Sequence, residues 1–212
     1  MKVILIGATG LVGAEVLKLL LEDAAFTEVT VYARKPLPVT HDKLTLVQGE
    51  LAALPAHREA LQGDVYVSCL GTTIKTAGSR ENFRKVDFHG VMSFARIAVS
   101  SRAKKFILVS SSGADARSRV FYSRVKGETE KALKDLALKS LVIFRPGLLI
   151  GEREEKRAGE KFAIGSFRVL RFFSPKTFSR KLGTPVEALA RRILEEAKGE
   201  GAGTKIIPSA EI

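Results

Sequence analysis

A turn built on three regularly spaced glycines near the N-terminus constrains the fold of this chain more than any other feature. Gly7, Gly10 and Gly13 directly follow a short apolar run, Val3–Ile6, and open a segment whose apolar residues recur at helical spacing. In a strand–turn–helix unit, the first glycine permits a tight turn, the second lets a pyrophosphate approach the backbone, and the third lets helix and strand pack closely. The free N–H groups and the positive end of the helix favour phosphates. The turn therefore predicts a phosphate-binding βα unit rather than a glycine-rich turn without a ligand.

Strand-like and helix-like patterns alternate after this turn. The strand-like runs are short, nearly continuous in apolar residues and rich in β-branched side chains, as strands buried on both faces are. They are Val3–Ile6, Val29–Tyr32, Leu44–Val47, Val65–Cys69, Phe106–Val109 and Leu141–Phe144. The helix-like segments between them are Leu11–Leu21, Pro55–Leu61, Asn82–Ser101 and Val120–Leu136. This order predicts an α/β fold of the Rossmann type, a doubly wound parallel sheet with helices on both faces.

The pattern changes after residue 150. Residues 151–183 are charged and irregular, and they include an aromatic and basic stretch, Phe167–Phe173. A helix capped by Thr184, with Pro185 in its first turn, and a last short strand, Lys205–Ile207, are predicted to follow. A chain of 212 residues suits one domain. We therefore predict a single dinucleotide-binding domain over the whole chain, in which residues 151–183 form a small C-terminal lobe on the substrate side.

Composition and charge limit the class of protein further. The chain is 45% hydrophobic and 27% charged, and its one cysteine and three histidines allow no intramolecular disulfide and predict no metal site. No apolar run reaches the roughly 20 residues of a membrane span, and the first run is too short for a signal peptide, so we expect a cytoplasmic protein. The net charge of +12 could attract nucleic acid. The basic residues are dispersed, however, and no recognition motif is present, so no nucleic-acid binding is expected.

The end of the second strand bears on the choice of cofactor. Enzymes that use NAD usually carry Asp or Glu there, which binds the ribose hydroxyls. In this chain Arg34 and Lys35 occupy the position, and no carboxylate is present. Two cations attract a 2′-phosphate, which an arginine can bind through two parallel hydrogen bonds. The sequence therefore predicts NADP(H) as the cofactor, with an exposed basic pair as the alternative.

A serine cluster and a tyrosine–lysine pair follow the fifth strand. Ser110, Ser111 and Ser112 come at the strand's end, and Tyr122 and Lys126 lie four apart on one face of the next predicted helix. A lysine ammonium close to a tyrosine hydroxyl favours the phenolate. The tyrosine can then exchange a proton with a substrate oxygen that a serine hydroxyl holds. We take Ser111, Tyr122 and Lys126 as the candidate catalytic residues, with Ser110 as the second choice of serine.

These motifs resemble those of the atypical short-chain dehydrogenase/reductases, and most closely the NAD(P)H-binding branch of the HIV Tat-interacting oxidoreductases. The similarity spans nearly the whole chain. It is carried by Gly7-Ala8-Thr9-Gly10-Leu11-Val12-Gly13, Cys69-Leu70-Gly71-Thr72-Thr73, Val86-Asp87, Ser110-Ser111-Ser112-Gly113-Ala114-Asp115, Tyr122-x-x-x-Lys126-Gly127-Glu128 and Phe144-Arg145-Pro146-Gly147. The resemblance implies an NADPH-binding fold with a Ser-Tyr-Lys constellation, in which the segment around Pro146 approaches the nicotinamide.

The expected cofactor site combines these motifs. Its predicted residues are Gly7, Ala8, Thr9, Gly10, Leu11, Val12, Gly13, Arg34, Lys35, Leu51, Cys69, Leu70, Gly71, Thr72, Tyr122, Lys126, Pro146, Gly147 and Leu148. Gly71 is expected to let the backbone pass close to the ribose and nicotinamide, and Cys69 to face inward as a small core residue. Asp87 stands where many relatives carry Asn. Two roles are open for it, that of a helix N-cap and that of a cofactor neighbour. Glu50-Leu51 stands where relatives often carry Asp beside the adenine.

Two functions compete on this evidence. The first is NADPH-dependent reduction of a small carbonyl-type substrate through Ser111, Tyr122 and Lys126. The second is a redox-sensing regulator or scaffold that binds NADPH with little or no turnover and acts on a protein partner. The intact catalytic set favours the enzyme. The Phe167–Phe173 stretch could dock a partner or pack over the substrate cleft. A docking role for it, together with the short lobe, would fit the regulator. The substrate and the oligomeric state, including a homodimer, are left open.

Overall fold

The computed structural model describes residues 1–150 and 183–212. Its strands are β1 (Lys2–Ile6), β2 (Glu28–Ala33), β3 (Leu44–Gln48), β4 (Val65–Ser68), β5 (Lys105–Val109), β6 (Ser140–Arg145), β7 (Leu148–Ile150), β8 (Gly183–Pro185) and β9 (Gly203–Pro208). Within the described ranges, one seven-stranded sheet has the order β3-β2-β1-β4-β5-β6-β9, and every pair in it is parallel. Strands β7 and β8 form a separate parallel pair. The predicted Rossmann-type fold is confirmed, and its strand order reverses between β1 and β4.

Helices cover both faces of the sheet. They are α1 (Leu11–Glu22), α2 (Ile74–Ala77), α3 (Arg80–Arg84), α4 (Val91–Ser100), α5 (Phe121–Lys134) and α6 (Val186–Lys198). A π turn, Lys85–Gly90, joins α3 to α4, and 3-10 helices span Leu51–Ala60 and Ser209–Glu211. Helices α1 and α6 share an apolar layer on one face, whereas α4 and α5 contribute to the layer on the other. No helix in the described ranges is long and apolar enough to cross a membrane.

The strands contribute alternate side chains to the two layers. In β1, Val3 and Leu5 belong to the layer of α1 and α6, while Ile4 and Ile6 belong to that of α4 and α5. Successive side chains of a strand point to opposite faces, so a strand covered on both faces must be apolar at nearly every position. This explains the continuous apolar runs in the sequence. The buried sheet holds its carboxyl ends, where the glycine turn lies, in a fixed arrangement.

Several predicted helices differ in detail from the observed ones. The predicted helix Pro55–Leu61 overlaps the 3-10 helix Leu51–Ala60, and Pro55, which lacks an N–H, lies inside it. The predicted long helix begins earlier than expected, at Arg80, and widens into the π turn in its middle. Thr184 does not cap α6, because it lies in β8 and its hydroxyl accepts a hydrogen bond from the Gly147 amide at 2.9 Å.

The predicted substrate-side lobe, residues 151–183, lies outside the described residues except for Gly183, which begins β8. The Phe167–Phe173 stretch also lies outside them. The division of the chain into one domain with a small lobe therefore stays a prediction. The described residues contain the seven strands of the central sheet given above, and the site is built on these strands.

Candidate active site

The turn between β1 and α1 brings two backbone segments into very close contact. Gly7 has a φ of +87°, a left-handed conformation, and a Cβ there would lie 2.6 Å from the carbonyl carbon and oxygen of Cys69. A Cβ on Gly13 would lie 2.2 Å from the Gly7 oxygen. No side chain fits at either position. Glycine at these two positions therefore allows α1 to start directly at the end of β1 and beside the end of β4.

Gly10 completes the turn and begins the helix. Its N–H donates to the Gly7 oxygen at 3.0 Å, and no side chain caps α1. The first amides of a helix have no intrahelical acceptor, and the positive end of the helix attracts anions. Leu11, Val12 and Gly13 supply these amides; Val12 and Gly13 are themselves buried. The turn thus fits the phosphates of a dinucleotide, bound through backbone N–H groups.

A cleft of about 460 Å³ opens at this edge of the sheet. The predicted cofactor-binding residues that line it are Gly7, Ala8, Thr9, Gly10, Arg34, Lys35, Leu51, Cys69, Leu70, Gly71 and Thr72. The lining residues that the sequence did not predict are Ile6, Tyr32, Ala33, Glu50, Thr76 and Val86. The cleft therefore extends from the end of β2, across the glycine turn, to the loop after β4. This path crosses the point where the strand order reverses, the usual ligand site of such sheets.

The remaining predicted cofactor residues do not line this cleft. They are Leu11, Val12, Gly13, Tyr122, Lys126, Pro146, Gly147 and Leu148. Arg34 and Lys35, in contrast, lie exposed at its rim. Cys69 packs against the layer of α1 and α6, and burial raises the pKa of its thiol to about 12. Cys69 is therefore a protonated packing residue at neutral pH, although its backbone borders the cleft.

The two predicted serines differ in their hydrogen bonds. Ser110 Oγ donates to Glu130 Oε1 at 2.6 Å. Ser111 Oγ is buried and has no hydrogen-bond partner among the described residues. A buried hydroxyl without a partner is unfavourable, and in a native structure it calls for an explanation. Ser111, the first choice from the sequence, is thus the serine that remains free to bind a ligand oxygen.

The serine loop packs against the helix that carries Tyr122 and Lys126. The Asp115 amide donates to the Ser123 oxygen at 3.1 Å, and a Cβ on Gly127 would lie 2.1 Å from the Ala116 nitrogen. The ring of Tyr122 lies 5.6 Å from that of Phe83, centre to centre. Lys126 Nζ lies 6.0 Å from the centre of the Tyr122 ring. The tyrosine and lysine therefore share one face of α5, close to the serine loop.

Asp87 does not cap a helix. It lies in the π turn, within a helical run that starts at Arg80, and its side chain is completely buried. Its Oδ1 forms an ion pair with Lys126 Nζ at 2.7 Å, and its Oδ2 accepts a hydrogen bond from the Thr72 amide at 3.0 Å. Asp87 therefore joins the loop after β4, which lines the cleft, to the lysine of the candidate catalytic set.

Burial and charge act in opposite directions on this ion pair. Burial raises the pKa of Asp87, and Lys126 and the Thr72 amide offset only part of that rise. Burial also disfavours the charge on Lys126, but the carboxylate of Asp87, with Tyr122 and Glu130, outweighs it and raises the pKa of Lys126. The ammonium of Lys126 is consequently protonated throughout the neutral range.

Glu130 is a residue of this site that the sequence analysis missed. It is buried on α5, and besides Ser110 it binds Arg145, whose Nη2 lies 2.6 Å from Oε2. The neighbouring Pro146 oxygen accepts a hydrogen bond from the Ser112 amide at 2.8 Å. Glu130 lies four residues after Lys126, so the helical spacing that pairs Tyr122 with Lys126 could have identified it.

Comparison with known proteins identifies the family. Residues 7–163 match a family described as NAD(P)H-binding. The chain belongs to this NAD(P)H-binding family. Protein HTATIP2 of Rattus norvegicus is 35% identical, over 95% of this chain and 83% of the relative. The resemblance to the Tat-interacting branch is thereby confirmed.

Another relative and a solved structure extend the comparison. Protein FMP52-1, mitochondrial, of Scheffersomyces stipitis is 35% identical over 88% of this chain and 82% of its own length. The Bordetella bronchiseptica enzyme WbmH, in complex with NAD+, superposes with a TM-score of 0.71 over 96% of this chain and 74% of that one, at 19% identity. The likeness to WbmH shows that this member of the NAD(P)H-binding family has the fold of Rossmann-type oxidoreductases. Since FMP52-1 is named as mitochondrial, the cytoplasmic location stays a prediction.

Proposed function

We propose that this protein is an NADPH-dependent reductase of a small carbonyl-type substrate, which acts through Ser111, Tyr122 and Lys126. One observation carries the proposal. Ser111 has a buried hydroxyl without a partner among the described residues, and the loop that carries it packs against α5 at Ser123 and Gly127, next to Tyr122 and Lys126 in the helix. Such a hydroxyl is suited to bind a carbonyl oxygen, and the adjacent cleft fits the dinucleotide of the family.

Each residue has a defined role in this mechanism. Ser111 donates a hydrogen bond to the substrate oxygen and holds it near Tyr122. Tyr122 gives its phenolic proton to that oxygen as negative charge develops on it, and so becomes a phenolate. Lys126, protonated at neutral pH, stabilises the phenolate electrostatically. The dinucleotide, when bound, supplies the hydride that reduces the carbonyl carbon.

The preference for NADPH is supported by the rim of the cleft. Arg34 and Lys35 follow β2, on the other side of the glycine turn from the loop after β4. The 2′-phosphate distinguishes NADPH from NADH, and these exposed cations can bind it. We expect Arg34→Ala/Lys35→Ala to weaken NADPH binding by about 10- to 100-fold, the usual effect of losing charged hydrogen bonds. NADH binding should change little.

A fluorescence titration with both cofactors tests this preference. Lys131→Ala/Lys134→Ala is the matched control, because it removes the same charge from exposed positions in the last turn of α5. Equal losses of NADPH and NADH affinity in the Arg34/Lys35 variant would show that the pair does not recognise the 2′-phosphate. If the unmodified protein binds neither cofactor, the proposed function is wrong.

A screen of carbonyl compounds, followed by NADPH oxidation, tests the chemistry. For a compound that is reduced, Tyr122→Phe should lower turnover by about 100-fold or more, since it removes the proton donor. Its affinity for NADPH should be retained, because phenylalanine keeps the ring contact with Phe83. Undiminished turnover in Tyr122→Phe would refute the assigned role.

One observation favours the regulator as a second candidate. The charge of Lys126 is balanced by Asp87 at 2.7 Å, and a balanced ammonium favours the phenolate of Tyr122 less than a free one does. A protein built in this way could bind NADPH and report the redox state to a partner with little turnover. Tight NADPH binding without reduction of any compound in the screen would select this function.

A further inference from the structure

The wall of the cleft has an opening where Gly71 replaces a side chain. Gly71 is exposed, and it follows β4 in the loop that lines the cleft. A Cβ on Gly71 would lie 3.5 Å from Lys126 Nζ and 3.6 Å from Asp87 Oδ1. Apart from Gly71 itself and its two neighbours in the sequence, no other atom of the described residues comes within 4 Å of that point. Gly71 therefore lines the cleft on one side and faces the buried ion pair on the other, with no side chain of its own between them.

The ion pair keeps unused hydrogen-bonding capacity on the side of this opening. Oδ2 of Asp87 accepts a hydrogen bond from the Thr72 amide, and Oδ1 is held by Lys126 Nζ at 2.7 Å, with no other hydrogen-bond donor among the described residues. A carboxylate oxygen has two lone pairs, and an ammonium has three N–H donors. An acceptor and a donor thus lie side by side behind Gly71. This arrangement matches two adjacent hydroxyl groups, each of which can donate and accept.

The strand order indicates which part of the dinucleotide reaches this point. The phosphate turn follows β1, in the middle, while Arg34 and Lys35 follow β2 on one side and Gly71 follows β4 on the other. If the adenosine half lies over β2, the other half of the molecule extends over β4. The sugar of that half carries two adjacent hydroxyls.

We propose that Asp87 is a cofactor-binding residue, reached through the opening at Gly71. Its Oδ1 accepts a hydrogen bond from a hydroxyl of the nicotinamide ribose, and Lys126 donates to the neighbouring hydroxyl. This assignment rests on the dinucleotide binding of the proposed function and extends it.

Two variants test the assignment at different risk to the fold. Asp87→Asn removes the charge but keeps the shape of the side chain, and it leaves the buried Lys126 without its counter-ion. Gly71→Ala fills the opening with a methyl group whose contacts, 3.5 and 3.6 Å, are ordinary, so the fold should be retained. Gly201→Ala is the matched control, because nothing lies within 4 Å of a Cβ there. Thermal unfolding of each variant verifies that it is folded.

The decisive comparison uses two ligands. NADPH contains both riboses, whereas adenosine 2′,5′-bisphosphate contains the adenine half and lacks the nicotinamide ribose. We expect Asp87→Asn and Gly71→Ala to weaken NADPH binding by about tenfold or more, as loss of a charged hydrogen bond does, and to leave bisphosphate binding unchanged. Calorimetry measures both ligands, and Gly201→Ala should bind both normally. If NADH binds more tightly than NADPH, NADH replaces NADPH and AMP replaces the bisphosphate in this comparison.

The outcomes separate this assignment from the proposed function. If the unmodified protein binds NADPH and both variants bind it equally well, Asp87 is not a cofactor residue and the proposed function stands. Equal losses for NADPH and bisphosphate would show a structural role and would also overturn the assignment. If the unmodified protein binds no dinucleotide, both proposals are wrong.

Discussion

Buried polar groups at the two ends of the parallel sheet differ in whether they have hydrogen-bond partners within the protein. At the amino end, Lys105 is buried at the start of β5, and its ammonium donates to carbonyl oxygens of Glu196 and Gly199 at the end of α6. Asp64, before β4, accepts a hydrogen bond from the Lys2 amide at 2.9 Å. These groups find their partners within the protein. Such bonds attach α6 and the first strand to the sheet, so this end contributes to stability.

The carboxyl end leaves buried polar atoms without partners. Within the described part of the chain, Ser68 Oγ and Ser111 Oγ are buried without a hydrogen-bond partner, and Asp87 Oδ1 is buried with only the ion pair to Lys126. Ser68 ends β4, Asp87 contacts the loop that follows β4, and Ser111 follows β5. A buried polar group without a partner costs roughly 1–3 kcal/mol. A ligand that supplies the missing partners would recover this free energy on binding, and the contrast between the two ends therefore teaches where a ligand belongs.

The two buried lysines show the same contrast in their charges. Burial lowers the pKa of Lys105, and Glu196 offsets only part of that effect. At the carboxyl end, burial opposes the charge on Lys126, yet Asp87 and its neighbours raise the pKa of Lys126. Carbonyl oxygens hold the first lysine, whereas a carboxylate holds the second. Removing each lysine should consequently have different effects on stability and on binding.

The largest effect is expected for Lys126→Met. This change leaves the Asp87 carboxylate buried without its counter-ion, which should lower the free energy of unfolding by about 3–5 kcal/mol at neutral pH. Burial already raises the pKa of Asp87, so the folded variant takes up a proton more readily than the unfolded chain. The variant thus loses stability as the pH rises. The difference in free energy of unfolding between the unmodified protein and Lys126→Met should be smaller at pH 5 than at pH 8. Urea unfolding at both pH values measures it.

The double variant Asp87→Asn/Lys126→Met is the control for this prediction. It replaces both charges by neutral groups of similar shape, and neutral replacements of a buried pair are often well tolerated. Its stability should exceed that of Lys126→Met. A Lys126→Met protein as stable as the unmodified one would show that the Asp87 carboxylate does not need this counter-ion, and the contrast between the two ends would weaken.

A smaller effect is expected for Lys105→Met. The variant loses charged hydrogen bonds to the end of α6, which should lower the free energy of unfolding by about 2 kcal/mol. NADPH affinity should be unchanged, because Lys105 lies at the opposite end of the sheet from the cleft. Urea unfolding and cofactor titration measure the two quantities. A large loss of affinity in a folded variant would contradict the division of the sheet into a stabilising end and a binding end.

The pH dependence of this variant sharpens the comparison. The pKa of Lys105 is lower in the folded protein than in the unfolded chain, so the unfolded chain binds more protons between these two values. The stability of the unmodified protein therefore rises with pH in that window. The stability gap to Lys105→Met should widen from pH 8 to pH 10. For Lys126, whose pKa is raised, the corresponding gap should narrow only above about pH 10.5, the ordinary pKa of a lysine side chain.

Much of this fold could be predicted from the sequence because the deciding signals are local. Strands buried on both faces must be apolar at nearly every position, and the glycine turn is demanded by contacts with adjacent segments. The π turn could not be predicted, because the apolar residues of the run Asn82–Ser101 were taken as one helical pattern and a single widened turn is rare within helices. Thr184 was assigned as a cap from its position beside Pro185, but a tertiary hydrogen bond from Gly147 uses its hydroxyl.

The site could be predicted only in part, for the same physical reason. Tyr122 and Lys126 share a helix face because of their spacing. The partner of Lys126, Asp87, lies on a different element, and only the folded structure brings its carboxylate within 2.7 Å. The choice between Ser110 and Ser111 depends on which hydroxyl reaches Glu130. No pattern within the serine cluster itself contains that information.

The two serines provide the smallest and most selective test. Ser110→Ala removes a hydrogen bond to the buried Glu130 carboxylate and should lower the free energy of unfolding by about 1.5 kcal/mol. Ser111→Ala removes a buried hydroxyl that has no partner among the described residues, so it should not lower the free energy of unfolding. For any carbonyl compound that the protein reduces, Ser111→Ala should lose more turnover than Ser110→Ala. If instead Ser110→Ala is neutral in stability and Ser111→Ala is destabilised, the ligand-facing hydroxyl at this end of the sheet belongs to Ser110.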